Sequence, residues 1–174
     1  KDPFDLIQEL EDVLGLPSVP VTWPIGCGLN FQGIYDILKN EVILYKAGKT
    51  IKLGENGVFG SELEDEVSGF NLKALRDEIE LIQGAGNSFN MEAVSCGKLS
   101  PVFFGSALAD FGTIPFLEHF LDMSPSPGPR KTVDGEVKPE DDFFSGFIFK
   151  IQANMNPAHR DRLAFFRICS GTFE

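Results

Sequence analysis

An α/β region followed by a purely β region is the fold class this chain predicts, and three observations carry it. The apolar run Pro101-Val102-Phe103-Phe104-Gly105 leads through a small-residue loop into a helical pattern over 113–121. Strand, loop, helix is the unit that presents loops to nucleotides. Residues 124–142 then hold Pro125, Pro127, Pro129 and Pro139 among many charges and almost no large apolar side chains, the composition of a linker between domains. Beyond them Phe147, Phe149 and Ile151 alternate with Ile148, Lys150 and Gln152, and 163–169 forms a second strand ending at Ser170-Gly171. That pair predicts the start of an antiparallel β-barrel.

The remaining elements follow along the chain. Asp2 caps and Pro3 opens a first helix, in which Leu6, Ile7, Leu10, Val13 and Leu14 recur at helical spacing until Gly15. Residues 18–26 mix β-branched side chains with proline, which suits an edge strand. Ile34, Tyr35, Ile37 and Leu38, then Val42, Ile43, Leu44 and Tyr45, straddle Lys39-Asn40 as in a hairpin, predicting a small antiparallel sheet. After a polar stretch at 54–69, Asn71 is the expected cap of a helix whose Leu72, Leu75, Ile79 and Ile82 face one side until Gly84. A shorter helix is expected over 89–96. The run at 101–105 has the character of a buried strand.

With 174 residues and 43% hydrophobic content, the chain can bury one medium core or two small ones. No stretch approaches the roughly 20 consecutive apolar residues of a membrane span and no charged-then-apolar leader opens the chain, so the expectation is a soluble, cytoplasmic protein with no membrane partner. Cys27, Cys96 and Cys169 form no CxxC pair and are expected as reduced, mostly buried thiols. The net charge of −11 disfavours a polyanion partner for most of the chain. From residue 145 onward, however, Lys150, Arg160, Arg162 and Arg167 against Asp161 and Glu174 leave a net of +2, and residues 1–144 carry −13. Only the last segment predicts an RNA-facing surface. The chain opens at Lys1 and stops on a turn after a strand, so both ends are expected to be cut and the functional site incomplete.

Several short motifs dissolve on inspection. Ala47-Gly48-Lys49-Thr50 ends like a phosphate-binding loop, but the glycine required five positions before Gly48 is Ile43, so a surface turn is expected. Asp12-Val13-Leu14-Gly15 fits a DxxG pattern inside a helix end. Asp110-Phe111-Gly112 precedes His159-Arg160-Asp161, the reverse of a protein kinase, and Phe166 stands where the kinase loop needs Asn. Neither His119 nor His159 has a partner at ligand spacing, so no metal site is expected. Asp77, Glu78 and Glu80 predict a solvated helix face.

Three segments resemble one family, in order. Val21-Thr22-Trp23-Pro24-Ile25-Gly26 with Phe31-Gln32-Gly33-Ile34-Tyr35-Asp36 resembles the insert subdomain of elongation factor G and of the bacterial class II peptide chain release factors, and Trp23 with Cys27 looks more like the latter. Pro101-Val102-Phe103-Phe104-Gly105-Ser106-Ala107-Leu108 resembles the last guanine-recognition motif of translational GTPases. The run from Phe147 to Met155, with Pro157, His159-Arg160-Asp161-Arg162 and Ala164-Phe165, resembles the second domain of the release factors.

The resemblance implies the C-terminal part of a P-loop GTPase domain at 1–123, with an α+β insert subdomain at about 16–97 and the guanine-motif strand and last helix at 98–123. A linker at 124–144 and the start of a translation-factor β-barrel at 145–174 would follow. It further implies that Ser106, Ala107 and Leu108 meet guanine, and that Lys150, Arg160, Arg162 and Arg167 are candidate ribosome contacts. For the intact protein it implies GTP or GDP with magnesium, the ribosome and class I release factors as partners, and GTP-dependent release of those factors in translation termination. The fragment alone is expected to be inactive and to bind no cofactor. Elongation factor G-like or ribosomal protection GTPases, and a non-enzymatic RNA-binding module, are the alternatives.

Overall fold

Helix α1, Pro3–Leu14, starts with the Asp2 carboxylate accepting the Phe4 amide at 2.8 Å and ends at Gly15, whose φ of 61° is the left-handed cap glycine favours. The computed structural model to which it belongs describes residues 1–153 and 162–173. The fold divides into two units, Lys1–Ser124 and Pro125–Glu174.

The segment expected as one edge strand is two strands in two sheets. β1, Ser18–Pro20, pairs in parallel with β6, Ser100–Val102, while β2, Thr22–Ile25, pairs antiparallel with β3, Gly33–Asp36. Buried Val21 joins them: its amide donates to Val102 O at 2.8 Å and its carbonyl accepts the Ile37 amide at 2.9 Å. One residue thus satisfies both ladders. β2 is the edge of a four-stranded sheet in which β3 is followed by β4, Glu41–Leu44, and β5, Lys49–Lys52. The β3–β4 turn closes on Asn40 at φ 53°, a left-handed position Asn tolerates. β5 was not expected as a separate strand. Gly48 sits in the turn before it at φ 60°, and Lys49 pairs with Glu66.

Helix α2, Gly69–Ala85, corrects the expected cap. Ser68 is the N-cap and accepts the Asn71 amide, whereas Asn71 is buried inside the first turn, its side chain donating to Asn30 O at 2.8 Å and Gln32 Oε1 at 2.7 Å. Gly84 lies within the helix, which ends when the Gly86 amide donates to Ile82 O. α3, Met91–Ser95, is capped by Asn90, and α4, Thr113–Met123, follows β6. β6 is only half-buried, not the buried strand expected, because among the described residues it has a single neighbour, β1.

The core lies between the four-stranded sheet and α2: Ile25, Val42, Leu44, Val58, Leu63, Leu72, Leu75 and Ile79 cluster around Trp23. Trp23 is 0% exposed, with the Phe4 ring 4.7 Å and the Phe104 ring 5.3 Å away, centroid to centroid. Its Nε1–H donates to Glu78 Oε2 at 2.6 Å, so Glu78 is not the solvated carboxylate expected, while Asp77 and Glu80 are exposed. The thiols also differ from expectation: Cys27 and Cys96 are exposed and Cys169 is half-buried, since the first two sit in the turn after β2 and at the end of α3.

In the second unit, the stretch expected as a linker contains a hairpin of β7, Arg130–Thr132, and β8, Gly135–Val137. Its turn is stabilised by Thr132, whose hydroxyl donates to Gly135 O and accepts the Asp134 amide. β9, Ser145–Ala153, and β10, Arg162–Ser170, form an antiparallel pair with register shifts at Phe165/Phe166 and Ile168/Ser170. Among the described residues no helix is long and apolar enough to cross a membrane.

Burial raises the Glu78 pKa, the Asp2 and Asp77 charges add to this, and the Trp23 hydrogen bond opposes it. A raised carboxylate pKa favours the folded state in acid, and that contribution is lost as pH rises through the raised value. Glu78→Gln keeps an acceptor for Trp23 without the charge. Near neutral pH the variant should melt at or above the parent's temperature, with the gap closing on acidification; a gap that widens in acid would refute the assignment.

Candidate functional site

The loop after β6 is held at both legs. On the first, the Phe104 amide donates to Thr22 Oγ1 at 2.9 Å while its ring meets the edge of Trp23. Ser106 and Phe111 then exchange backbone hydrogen bonds of 2.8 and 3.1 Å, closing the loop at its neck. Inside, Ser106 Oγ accepts the Ala109 amide at 3.1 Å, and Asp110 adopts φ 51°. On the second leg, Gly112 caps α4 at φ 75°, where an added Cβ would lie 2.4 Å from Phe104 O and 2.7 Å from Gly105 Cα. Only glycine fits there.

The Gly112 amide donates to the Tyr45 hydroxyl at 2.7 Å, and the Phe111 ring lies 4.4 Å from Phe31 and 5.8 Å from Tyr45. Burial raises the Tyr45 pKa, the Gly112 hydrogen bond opposes this, and the Asp110 charge adds to it, so the phenol stays neutral in ordinary buffers.

This closed loop presents Ala107 and Leu108 outward. Both are exposed, Leu108 at 99%, and no hydrogen bond among the described residues engages their backbone amides. Those amides are free to serve an acceptor. Ser106 acts on the loop itself. A cleft of about 420 Å³ opens beside the loop, lined by Pro101, Phe103, Ser106, Ala107, Thr113 and Phe116. A second, of about 770 Å³, lies against Phe31, Tyr45, Phe104 and Phe111.

Sequence reasoning placed Ser106, Ala107 and Leu108 on one loop but missed the residues that shape it, Thr22, Phe31 and Tyr45, which stand far away along the chain. It also missed a buried pair behind the loop's helix. His119 Nε2 lies 2.7 Å from Asp36 Oδ2, Asp36 is 0% exposed, and Asp36 Oδ1 accepts the Lys39 amide at 3.0 Å. Lys39 itself pairs with Glu118, which raises the lysine pKa and lowers that of the carboxylate. Among the described residues no group of three or more His, Cys, Asp or Glu is placed to hold a metal ion.

In the second unit Lys150, Arg162 and Arg167 are all exposed. Lys150 stands opposite Phe165, its ammonium 5.4 Å from that ring's centroid, and Arg167 follows on β10 beyond the register shift at Phe165/Phe166. Arg162, opposite Ala153, falls on the face away from Lys150. Arg160, with His159 and Asp161, lies outside the described residues.

Residues 143–174 match the family Elongation factor G domain 2. Over its full length the chain is 50% identical to Peptide chain release factor 3 of Streptococcus pneumoniae strain Hungary19A-6, and equally to that of serotype 19F strain G54. It spans 33% of the length of these relatives. A crystal structure of a Thermus thermophilus protein resembles the fold with a TM-score of 0.56 at 22% identity, covering 98% of this chain and 26% of that one.

The Gly112 geometry yields a direct test. Gly112→Ala should lower stability by about 2 kcal/mol or more, since Ala is strained at positive φ and its methyl has no room. Chemical denaturation measures this; an unchanged midpoint would mean that the loop legs do not approach as closely as described.

Proposed function

We propose, for a chain that belongs over its whole length to the release factor 3 family of translational GTPases, that it forms the guanine-contacting end of a GTPase domain and the opening strands of the next domain. The observation that carries this is the 50% identity extending over 100% of the chain. In the finer assignment, residues 1–123 are the C-terminal part of a P-loop GTPase domain with an insert subdomain at about 16–97. Residues 124–144 connect it to a translation-factor β-barrel that begins at 145.

The chemistry of the loop follows from its free donors. The amides of Ala107 and Leu108 donate to guanine O6, and Ser106 holds them in place by accepting the Ala109 amide. Adenine presents an amino group at that position, so two donors would face each other and the base is rejected. GTP with magnesium, held at its phosphates by segments outside this chain, supplies the phosphoryl transfer. The intact protein then acts in translation termination on the ribosome in the cytoplasm, promoting release and recycling of class I release factors. Lys150, Arg160, Arg162 and Arg167 are its candidate contacts to ribosomal RNA. The second reading is an elongation factor G-like GTPase, favoured by the match of residues 143–174 to Elongation factor G domain 2.

Titration of fluorescent GDP with magnesium should give binding by the full-length protein and none by the 174-residue chain. Tight, guanine-selective binding by the short chain would overturn the division of the site. For the ribosome, charge reversal at Lys150 and Arg167 together should weaken binding of the full-length protein. The slope of log affinity against log salt should flatten by about one per lost phosphate contact. An unchanged slope would remove these residues from the interface.

A further inference from the structure

We infer that Tyr45 and Thr22, both on the four-stranded sheet side, are positioning residues that set the geometry of the 106–111 loop, so that base selectivity is controlled from the insert subdomain. The inference rests on the reading of that loop as the guanine contact and adds what holds it in register.

The loop's own bonds close it at the neck but do not orient it. Ser106 and Phe111 bond to each other, and Ser106 Oγ bonds to Ala109, all inside the loop. Such a closed unit can tilt as a whole on its two legs. Each leg is tied to the sheet by one hydrogen bond from a backbone amide to a side-chain oxygen: Phe104 N to Thr22 Oγ1 at 2.9 Å and Gly112 N to Tyr45 Oη at 2.7 Å. The legs touch so closely at Gly105 and Gly112 that neither moves without the other. Aromatic contacts reinforce the ties, with Phe111 against Phe31 and Tyr45 and Phe104 against Trp23.

Tyr45 lies between β4 and β5, and its amide donates to Gln32 O at 3.2 Å. A force on this end of the sheet therefore reaches the loop through the Tyr45 hydroxyl together with the ring contacts of Phe31 and Tyr45 to Phe111. A shift of a few tenths of an ångström at the neck moves the Ala107 and Leu108 amides relative to an acceptor whose hydrogen bonds weaken steeply with misalignment.

The test uses the full-length protein and two nucleotides. GDP carries O6; the 5′-diphosphate of 2-aminopurine riboside keeps the 2-amino group and lacks O6. The unaltered protein should prefer GDP, and no preference would overturn the guanine-loop reading itself. Tyr45→Phe keeps the ring and removes the hydroxyl. It should reduce the GDP preference about fivefold, the value of one ordinary hydrogen bond, with the affinity for the analogue little changed. Thr22→Val removes the other tie at constant shape and should act in the same direction, deciding the matter should Tyr45→Phe not fold. A purely structural role would lower the melting temperature or weaken both nucleotides equally. An unchanged preference ratio in the folded variants, with the unaltered protein selective, overturns the inference alone.

Discussion

Complete burial of the Trp23 indole is the constraint on which the first unit is organised. A ring of that size excludes water from a large area only when surfaces close on both faces and its N–H finds a partner. Phe4 brings α1 to one side, Phe104 brings the leg of the 106–111 loop to another, and Glu78 on α2 receives the N–H at 2.6 Å. Helix, sheet and loop are therefore held by the same side chain. The cost is a carboxylate partly withdrawn from water, which is why the Glu78 pKa rises.

The four-stranded sheet and the loop-bearing α/β unit behave as one body because the ties between them are buried. Val21 bonds to both sheets through its own peptide groups. Asp36 and His119 join β3 to α4 in a site from which water is nearly absent, so removing either side chain would leave the other without its hydrogen-bond partner. Lys39 and Glu118 repeat the link at the surface, where a single ion pair contributes little. The sheet is thereby coupled to the loop through geometry, with no need for a moving part.

Local signals were legible wherever a residue's neighbours in sequence are also its partners. The Asp2 cap, the Pro3 start and the Gly15 stop of α1 are short-range, as are the Leu72, Leu75 and Ile79 face of α2 and the β9–β10 pair. The misreadings share one cause. Ser68 and Asn71 are both good caps, and what decided between them was Gln32 and Asn30 reaching Asn71 from another part of the chain. Glu78 looked solvated because its two neighbouring carboxylates are, while a tryptophan 55 positions away claimed it. The β7–β8 hairpin escaped notice because its stability rests on Thr132 turn bonds and not on apolar side chains.

The sequence by itself determined that helices and sheets mix in this chain, the helix limits within a few residues and the placing of Ser106, Ala107 and Leu108 on one loop, since each depends on periodicity, turn chemistry or composition over short spans. Only the tertiary structure decided which oxygens receive the Phe104 and Gly112 amides, that Asp36 meets His119, and that Lys150 and Arg162 fall on opposite faces. These depend on strand register and on contacts between residues far apart along the chain. Neither leaves a mark in the local pattern, because many side chains of the same polarity would satisfy it equally well.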